Sequence, residues 1–310
     1  MTVLLVALAL DLTLGEPPNR WHPVAWIGRL LGHGARLAPQ GPPWLLLLHG
    51  TLLVLLVAGA AAAGAWLVTG WASPWPLLRM LVAAWLLKCA FSVRRLFGSV
   101  REVQQALARG DLDGARRALG LHLVSRPTGD LDEGAVASAA VESLAENLTD
   151  SLTGPLVAYA VGGLPTAVAY RMVNTADAML GYRSERYEHL GKAAARLDDV
   201  ANLLPARVAA LALVAASAVS GYSPTEAWRG AWQGRRATAS PNAGWTIGAM
   251  AGALGVVLEK VGHYRLGVAK RPVTPAVIRE AATLVGRAAA LLSVSILLLE
   301  AWRSARNRQS

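Results

Sequence analysis

Charge is what this chain of 310 residues lacks most. Asp, Glu, Lys and Arg make up 16% of it, whereas soluble domains carry about 25%. Cysteine is nearly absent. Cys89 stands alone, which excludes a disulfide framework and any multi-cysteine metal site. No G-x-x-x-x-G-K-[ST] occurs, because the one Gly-Lys pair, Gly191-Lys192, runs into Ala193. Any nucleotide would therefore be held without a P-loop, by metal and arginine. No solenoid repeat and no low-complexity linker interrupts the chain, so it reads as one domain, 1–310. The opening "MTVLLVALALDLTLGEPP" has neither a basic n-region nor an A-x-A cleavage site. It reads as a retained first helix with Asp11 inside it.

What is abundant is apolar surface: 54% hydrophobic residues and a mean hydropathy of +0.38. The stretch 44–70, "WLLLLHGTLLVLLVAGAAAAGAWLVTG", has no charge except on His49 if protonated. It exceeds the roughly 20 residues that span a bilayer. Further candidate membrane segments are 1–14, 76–93, 151–178, 200–220 and 283–302. Arg79, Lys88, Arg207 and Arg287 lie inside them and must snorkel or face the protein interior. The expected fold is all-α: a polytopic integral membrane helical bundle with a re-entrant hairpin and cytoplasmic amphipathic helices.

The net charge is +10. No aromatic-basic stacking platform or recognition-helix motif accompanies it, so nucleic acid is not an expected partner. The basic stretches 20–36 and 94–126 lie between apolar segments, and the positive-inside rule places them in the cytoplasm. The uncharged "TGWASPWP" (69–76), with two tryptophans, suits a short turn on the other side. Segment 151–178 then poses a parity problem, because a full crossing would put the basic loop 181–199 outside. Its centre reads "GGLP" (162–165), which breaks a helix. Two half-helices that dip in and return would bring Asn147 and Asn174 to the cytoplasmic face. The region 221–282 and the basic tail cannot both be cytoplasmic if 283–302 crosses once, unless 242–258 also enters the bilayer. The sequence leaves that open.

The chemistry centres on "ESLAENLTDS" (142–151). On a helix Glu142, Glu146 and Asp150 form one stripe, in which like charges repel unless a cation or partner intervenes. Asn147/Asp150 and Asn174/Asp177 are two N-x-x-D pairs flanking the hairpin. They serve either as helix caps or as oxygen ligands for Mg²⁺, with Glu146, Asp150 and Asp177 as candidate ligands. In "GYRSERYEHLGKAAARLDDVANLLPAR" (181–207), Arg183, Arg186, Lys192, Arg196 and Arg207 could neutralise phosphates. Tyr187, Asp198 and Asp199 lie among them, and the run otherwise reads as a solvated surface. Asp11, in an apolar helix, is a functional candidate by default. His22, before Pro23, is open to catalytic and structural readings. "PNAGW" (241–245), with Asn242, Trp245 and the following glycines, would let backbone approach a flat ligand.

These blocks carry a resemblance. "LDLTLGEPPNRWHPVAWIG" (10–28), the stretch from "VESLAENLTD" through "ANLLPAR" (141–207), and "PNAGWTIGAMAGALGVVLEKVGHYRLG" (241–267) resemble, in order, the three blocks of the adenosylcobinamide-phosphate synthase family. Stretches 44–70 and 94–130 are the variable parts. Leu148 departs from the small or polar residue of that family's Asn-x-(Ser/Thr)-Asp. The resemblance implies a multi-pass enzyme of the cell's inner or plasma membrane, with its active site facing the cytoplasm. It implies ATP- and Mg²⁺-dependent joining of the adenosylcobyric acid carboxylate to (R)-1-amino-2-propanol O-2-phosphate or ethanolamine phosphate. Under it, Glu142, Glu146, Asn147, Asp150, Asn174 and Asp177 become catalytic candidates. Asp11, His22, Arg183, Arg186, Tyr187, Lys192, Arg196, Asp198, Asp199, Arg207, Asn242 and Trp245 become substrate-binding ones. Its partners would be corrinoid, phosphorylated amine, lipid bilayer, and either a second copy or other cobalamin-pathway membrane enzymes.

Two other readings compete. A Mg²⁺-dependent membrane prenyltransferase would show its motifs in two matching halves. A transporter or cobalt-uptake subunit would show inverted repeats. Neither pattern is present.

Overall fold

The computed structural model describes residues 1–182 and 187–307. In chain order the helices are α1 (Thr2–Leu14), α2 (Pro23–Arg36), α3 (Pro43–Trp71), α4 (Pro76–Ala90), α5 (Val93–Ala108), α6 (Leu112–His122), α7 (Glu133–Leu148), α8 (Gly154–Leu180), α9 (Lys192–Ala201), α10 (Leu203–Ala218), α11 (Pro224–Gly234), α12 (Ala243–Leu254) and α13 (Pro275–Arg306). A π-helical turn, Thr149–Thr153, joins α7 to α8. A two-stranded antiparallel hairpin, β1 (Val257–Lys260) with β2 (Tyr264–Gly267), follows α12. That small hairpin is the one departure from all-α among the described residues.

By length and composition, four stretches can cross a membrane: Pro43–Trp71, Pro76–Ala108, Glu133–Leu180 and Pro275–Arg306. A fifth is gained if α9 and α10 count as one bent span. The chain is therefore a multi-pass membrane protein. It packs as two compact units, each drawn from distant segments. The first comprises Met1–Ser92, Gly154–Ala201 and Ile296–Ser310; the second comprises Val93–Thr153 and Asn202–Ser295.

In the first unit, Leu31 of α2, Val54 and Val57 of α3, Ala176 of α8 and Ala194 of α9 share one buried cluster. This packing fixes the second half of α8 against α9. Helix α8 breaks where "GGLP" predicts. Gly163 has φ 73°, outside the helical region, and Pro165 carries no amide hydrogen. A side chain on Gly154 would overlap the Tyr170 ring. Sixteen residues of straight helix would hold those two positions about 24 Å apart. The chain therefore reverses at Gly163, and α8 is a helical hairpin. The break frees the Ala160 carbonyl, which accepts a hydrogen bond from Arg303.

In the second unit the amphipathic α5 buries Leu96, Val100, Val103 and Leu107 and exposes Arg94, Arg95 and Arg101. The side chains of Asp111, Asp132 and Ser223 cap α6, α7 and α11, satisfying amides that a helix start leaves open. Helix α12 is buried along nearly its whole length and at 12 residues is too short to cross a bilayer. Its glycines are not open to a ligand, contrary to the sequence reading. Gly244 and Gly248 face the backbone of Gly234 and Gly230 on α11, and Gly252 faces Glu226. They are what brings those two helices together.

Candidate functional site

The acidic stripe divides into unlike members. Glu142, 5% exposed, has both carboxylate oxygens occupied. Oε1 accepts from Ser138 Oγ at 2.8 Å and Oε2 from the Tyr264 hydroxyl at 2.7 Å. Ser138 Oγ also accepts from the Glu259 amide at 3.1 Å. Glu142 thus ties the β-hairpin to α7. Burial, followed by the Glu142 and Glu146 charges, pushes the Tyr264 phenol well above its ordinary range, so it remains a donor. One turn on, Glu146 is exposed and Asn147 half-buried. Asn147 is engaged on its own helix, donating to the Ser143 carbonyl at 2.9 Å and accepting from Ser151 at 3.2 Å. Asp150 lies in the π-helical turn, a feature frequent at functional sites. It accepts from Asn202 Nδ2 at 3.1 Å.

Asn202 is the buried residue that starts α10. Arg207 follows on the same helix. Its guanidinium donates to the Leu203 carbonyl at 2.9 Å, to Asn242 Oδ1 at 2.6 Å and to the Pro241 carbonyl at 3.4 Å. It also lies 5.0 Å from the centre of the Trp245 ring. Trp245 in turn packs at 6.3 Å and 6.0 Å from Trp228 and Trp232. Arg207, Asn242 and Trp245, far apart in sequence, therefore share one corner of the second unit. All the partners of Arg207 seen among the described residues are neutral.

The other Asn-x-x-Asp pair belongs to the first unit. Asn174 accepts from Arg171 Nη1 at 3.1 Å and donates to Asp198 Oδ1 at 3.2 Å. Arg171 Nε is buried without a hydrogen-bond partner. Asp177 is half-buried one turn further along α8. Lys192 is exposed and Tyr187 half-buried. Arg196 is also exposed and lies 3.8 Å from Asp199, a surface pair worth at most about 1 kcal/mol. Arg183 and Arg186 lie outside the described residues.

Asp11 and His22 join a separate cluster in the first unit. Lys88, 0% exposed, reaches Glu16 Oε1 at 2.8 Å and Asp11 Oδ1 at 3.6 Å. Glu16 Oε2 is 2.5 Å from His22 Nε2. His22 Nδ1 accepts from the Val24 amide at 3.2 Å and so caps α2. That fixes the tautomer with the proton on Nε2, where it faces Glu16. Burial raises the Glu16 pKa, but the His22 and Lys88 contacts outweigh it and hold the carboxyl below its ordinary value of 4.5. Asp11 is thus the partner of a buried lysine.

The family model described as "CobD/Cbib protein" matches residues 4–292. The chain belongs to that family. The "Cobalamin biosynthesis protein CobD" of Dehalococcoides mccartyi is 38% identical over 301 residues, which is 96% of this chain and 97% of that protein. The protein of the same name from Geobacter metallireducens is 42% identical over 269 residues, 84% of this chain and 82% of its own. The "Probable cobalamin biosynthesis protein CobD" of Methanothermobacter thermautotrophicus is 39% identical, covering 86% of each chain. No solved structure matches.

Among the described residues, no group of three or more His, Cys, Asp or Glu comes together as a metal site. Mg²⁺ bound with a nucleotide needs only one or two carboxylates beside the phosphates, and Glu146 with Asp150, one turn apart, fits that requirement. Glu142, with both oxygens engaged, does not. Sequence reasoning missed Asn202, Tyr264, Arg171 as a site member and Lys88 as the partner of Asp11. A signal existed for the two cations, since each interrupts an apolar run. Asn202 and Tyr264 carried none, because their roles come from residues 52 and 122 positions away.

Proposed function

We propose that this protein acts in cobalamin biosynthesis, joining the adenosylcobyric acid carboxylate to the amine of (R)-1-amino-2-propanol O-2-phosphate or ethanolamine phosphate. The observation that carries this reading is Arg207. It is an arginine held by neutral groups, close along α10 to the Asn202–Asp150 pair. A guanidinium whose partners are neutral keeps its charge for an anion. Carboxylates nearby suit the metal that accompanies a nucleotide. Together they provide both signs of charge that a phosphoryl transfer needs.

In this scheme the substrate carboxylate attacks the γ-phosphate of ATP, giving an acyl phosphate and ADP. The amine then displaces phosphate, forming the amide, and its surplus proton passes to a base. Asp150 and Glu146 would hold Mg²⁺, which screens phosphate charge when bound. Arg207 would hold nucleotide phosphate, with Asn242 fixing its orientation and the Trp245 face limiting its movement. The test is direct: purified protein in nanodiscs, given ATP, Mg²⁺, the corrinoid acid and either amine, should form amide and ADP in equal amounts. Prenyl diphosphate consumption, or no product with either amine, would overturn it.

A further inference from the structure

The first unit contains a cavity of about 580 Å³ beside the break in α8, within the roughly 300–1,000 Å³ range of small-molecule sites. Its apolar wall comes from Val3, Trp66, Met80, Ala83 and Leu164. These residues lie on α1, α3, α4 and α8, and the last three belong to stretches long enough and apolar enough to cross a membrane. The polar members Thr69, Ser73 and Arg79 come from the end of α3, the turn after it and the start of α4, the same stretch that carries the Trp71–Trp75 ring pair at 5.5 Å. Paired tryptophans beside an arginine are the usual mark of a membrane–water boundary. Arg79 makes no hydrogen bond or ion pair through its side chain among the described residues. It also occupies the first turn of α4, where a cation opposes the helix dipole. Tyr159, which also lines the cavity, is occupied with Glu300, and Glu300 is further neutralised by the Met1 ammonium at 2.7 Å.

We propose that this cavity holds one phospholipid, with its phosphate on Arg79 and an acyl chain along Trp66, Met80, Ala83 and Leu164. A free anion would gain nothing from the apolar wall, and a purely apolar guest would leave the exposed Arg79 without an anionic partner. A molecule with both parts matches both kinds of lining. The lipid fills the gap opened where α8 departs from helical geometry at Gly163, and so supports the reversal of the hairpin.

The experiment is native mass spectrometry of the protein purified in mild detergent, with melting followed after delipidation and addition of phosphatidylglycerol. The wild type should carry one phospholipid, and adding lipid back should raise its melting temperature. Arg79→Gln should weaken retention about tenfold or more, the effect of losing a charge-assisted bond. Ala83→Leu, which intrudes on the chain-binding wall and keeps Arg79, should lose the lipid as well; if it fails to fold by circular dichroism, Arg79→Gln alone decides. The proposal fails if the wild type takes up no lipid, if Arg79→Gln retains it equally, or if inorganic phosphate stabilises the wild type as well as phosphatidylglycerol does. None of these readings depends on amide-forming activity.

Discussion

Lys88 and Arg207 are both cations placed within apolar helices, and the two units treat them in opposite ways. Lys88 is closed off by carboxylates: Glu16 at 2.8 Å and Asp11 at 3.6 Å. Its charge is spent inside the protein. Arg207 is held by two carbonyls, an amide oxygen and an indole face. Those partners fix its position and leave its charge intact. The identity of the partner, more than burial, separates a charge that holds the fold from one that can hold a ligand.

That contrast can be broken most forcefully at Lys88. Lys88→Met leaves Asp11 and Glu16 without their buried cation, and removing one side of such a pair costs about 3–5 kcal/mol. The expected result is a marked fall in detergent melting temperature and in membrane yield. An unchanged melting curve would show that the cluster does not hold the fold.

Asp150→Asn should do the reverse. Melting should be preserved, because the amide can still hydrogen-bond Asn202, while turnover falls about 10²–10³-fold, as for the loss of one electrostatic stabiliser. Steady-state amide formation across a Mg²⁺ titration checks this. Near-normal turnover at limiting Mg²⁺ would remove Asp150 from the metal assignment.

Arg207→Ala sharpens the comparison on the anion side. Losing charge-assisted bonds should raise KM for ATP about 10- to 100-fold, with little change in KM for the corrinoid. An equal rise in both would mean that Arg207 supports the fold of the corner and not phosphate binding.

Tyr264→Phe tests whether Glu142 belongs with the closed charges. Removing one donor from a buried carboxylate should cost about 1.5 kcal/mol of stability and leave turnover per folded molecule unchanged. A selective loss of turnover would return Glu142 to the chemistry.

The smallest effect concerns acid. The Glu16 pKa is lowered in the fold, so its contribution is fully present above the ordinary value of 4.5 and is lost as pH falls through the lower folded value. The melting temperature should therefore be flat near neutrality and decline below about pH 4.5. His22→Ala, which removes one of the lowering contacts, should make that decline shallower.

Much of the architecture was legible in the residues. The uncharged run 44–70 needed only counting to become α3, and "GGLP" marked the break in α8 because glycine and proline act through local backbone geometry. The N-x-x-D pairs were also visible, but they divide between the units: Asn147 and Asp150 in the second, Asn174 and Asp177 in the first. The stripe of three carboxylates looked uniform. The fold buries Glu142 behind two hydroxyls and leaves Glu146 exposed.

Local rules therefore determined which stretches are helical, which are apolar enough for a membrane and where α8 must break. All of these follow from backbone preference and from transfer of side chains out of water. Only the tertiary structure decided what each charge is for. It brought Lys88 to Asp11 and Glu16, Tyr264 to Glu142, and Asn242 to Arg207 across 35 residues. It turned the glycines of "PNAGWTIGAMAGALG" into a seam against α11. Charge pairing acts over a few ångströms of space and is indifferent to distance along the chain. The sequence shows that a charge must be compensated; the partner that compensates it is set by packing.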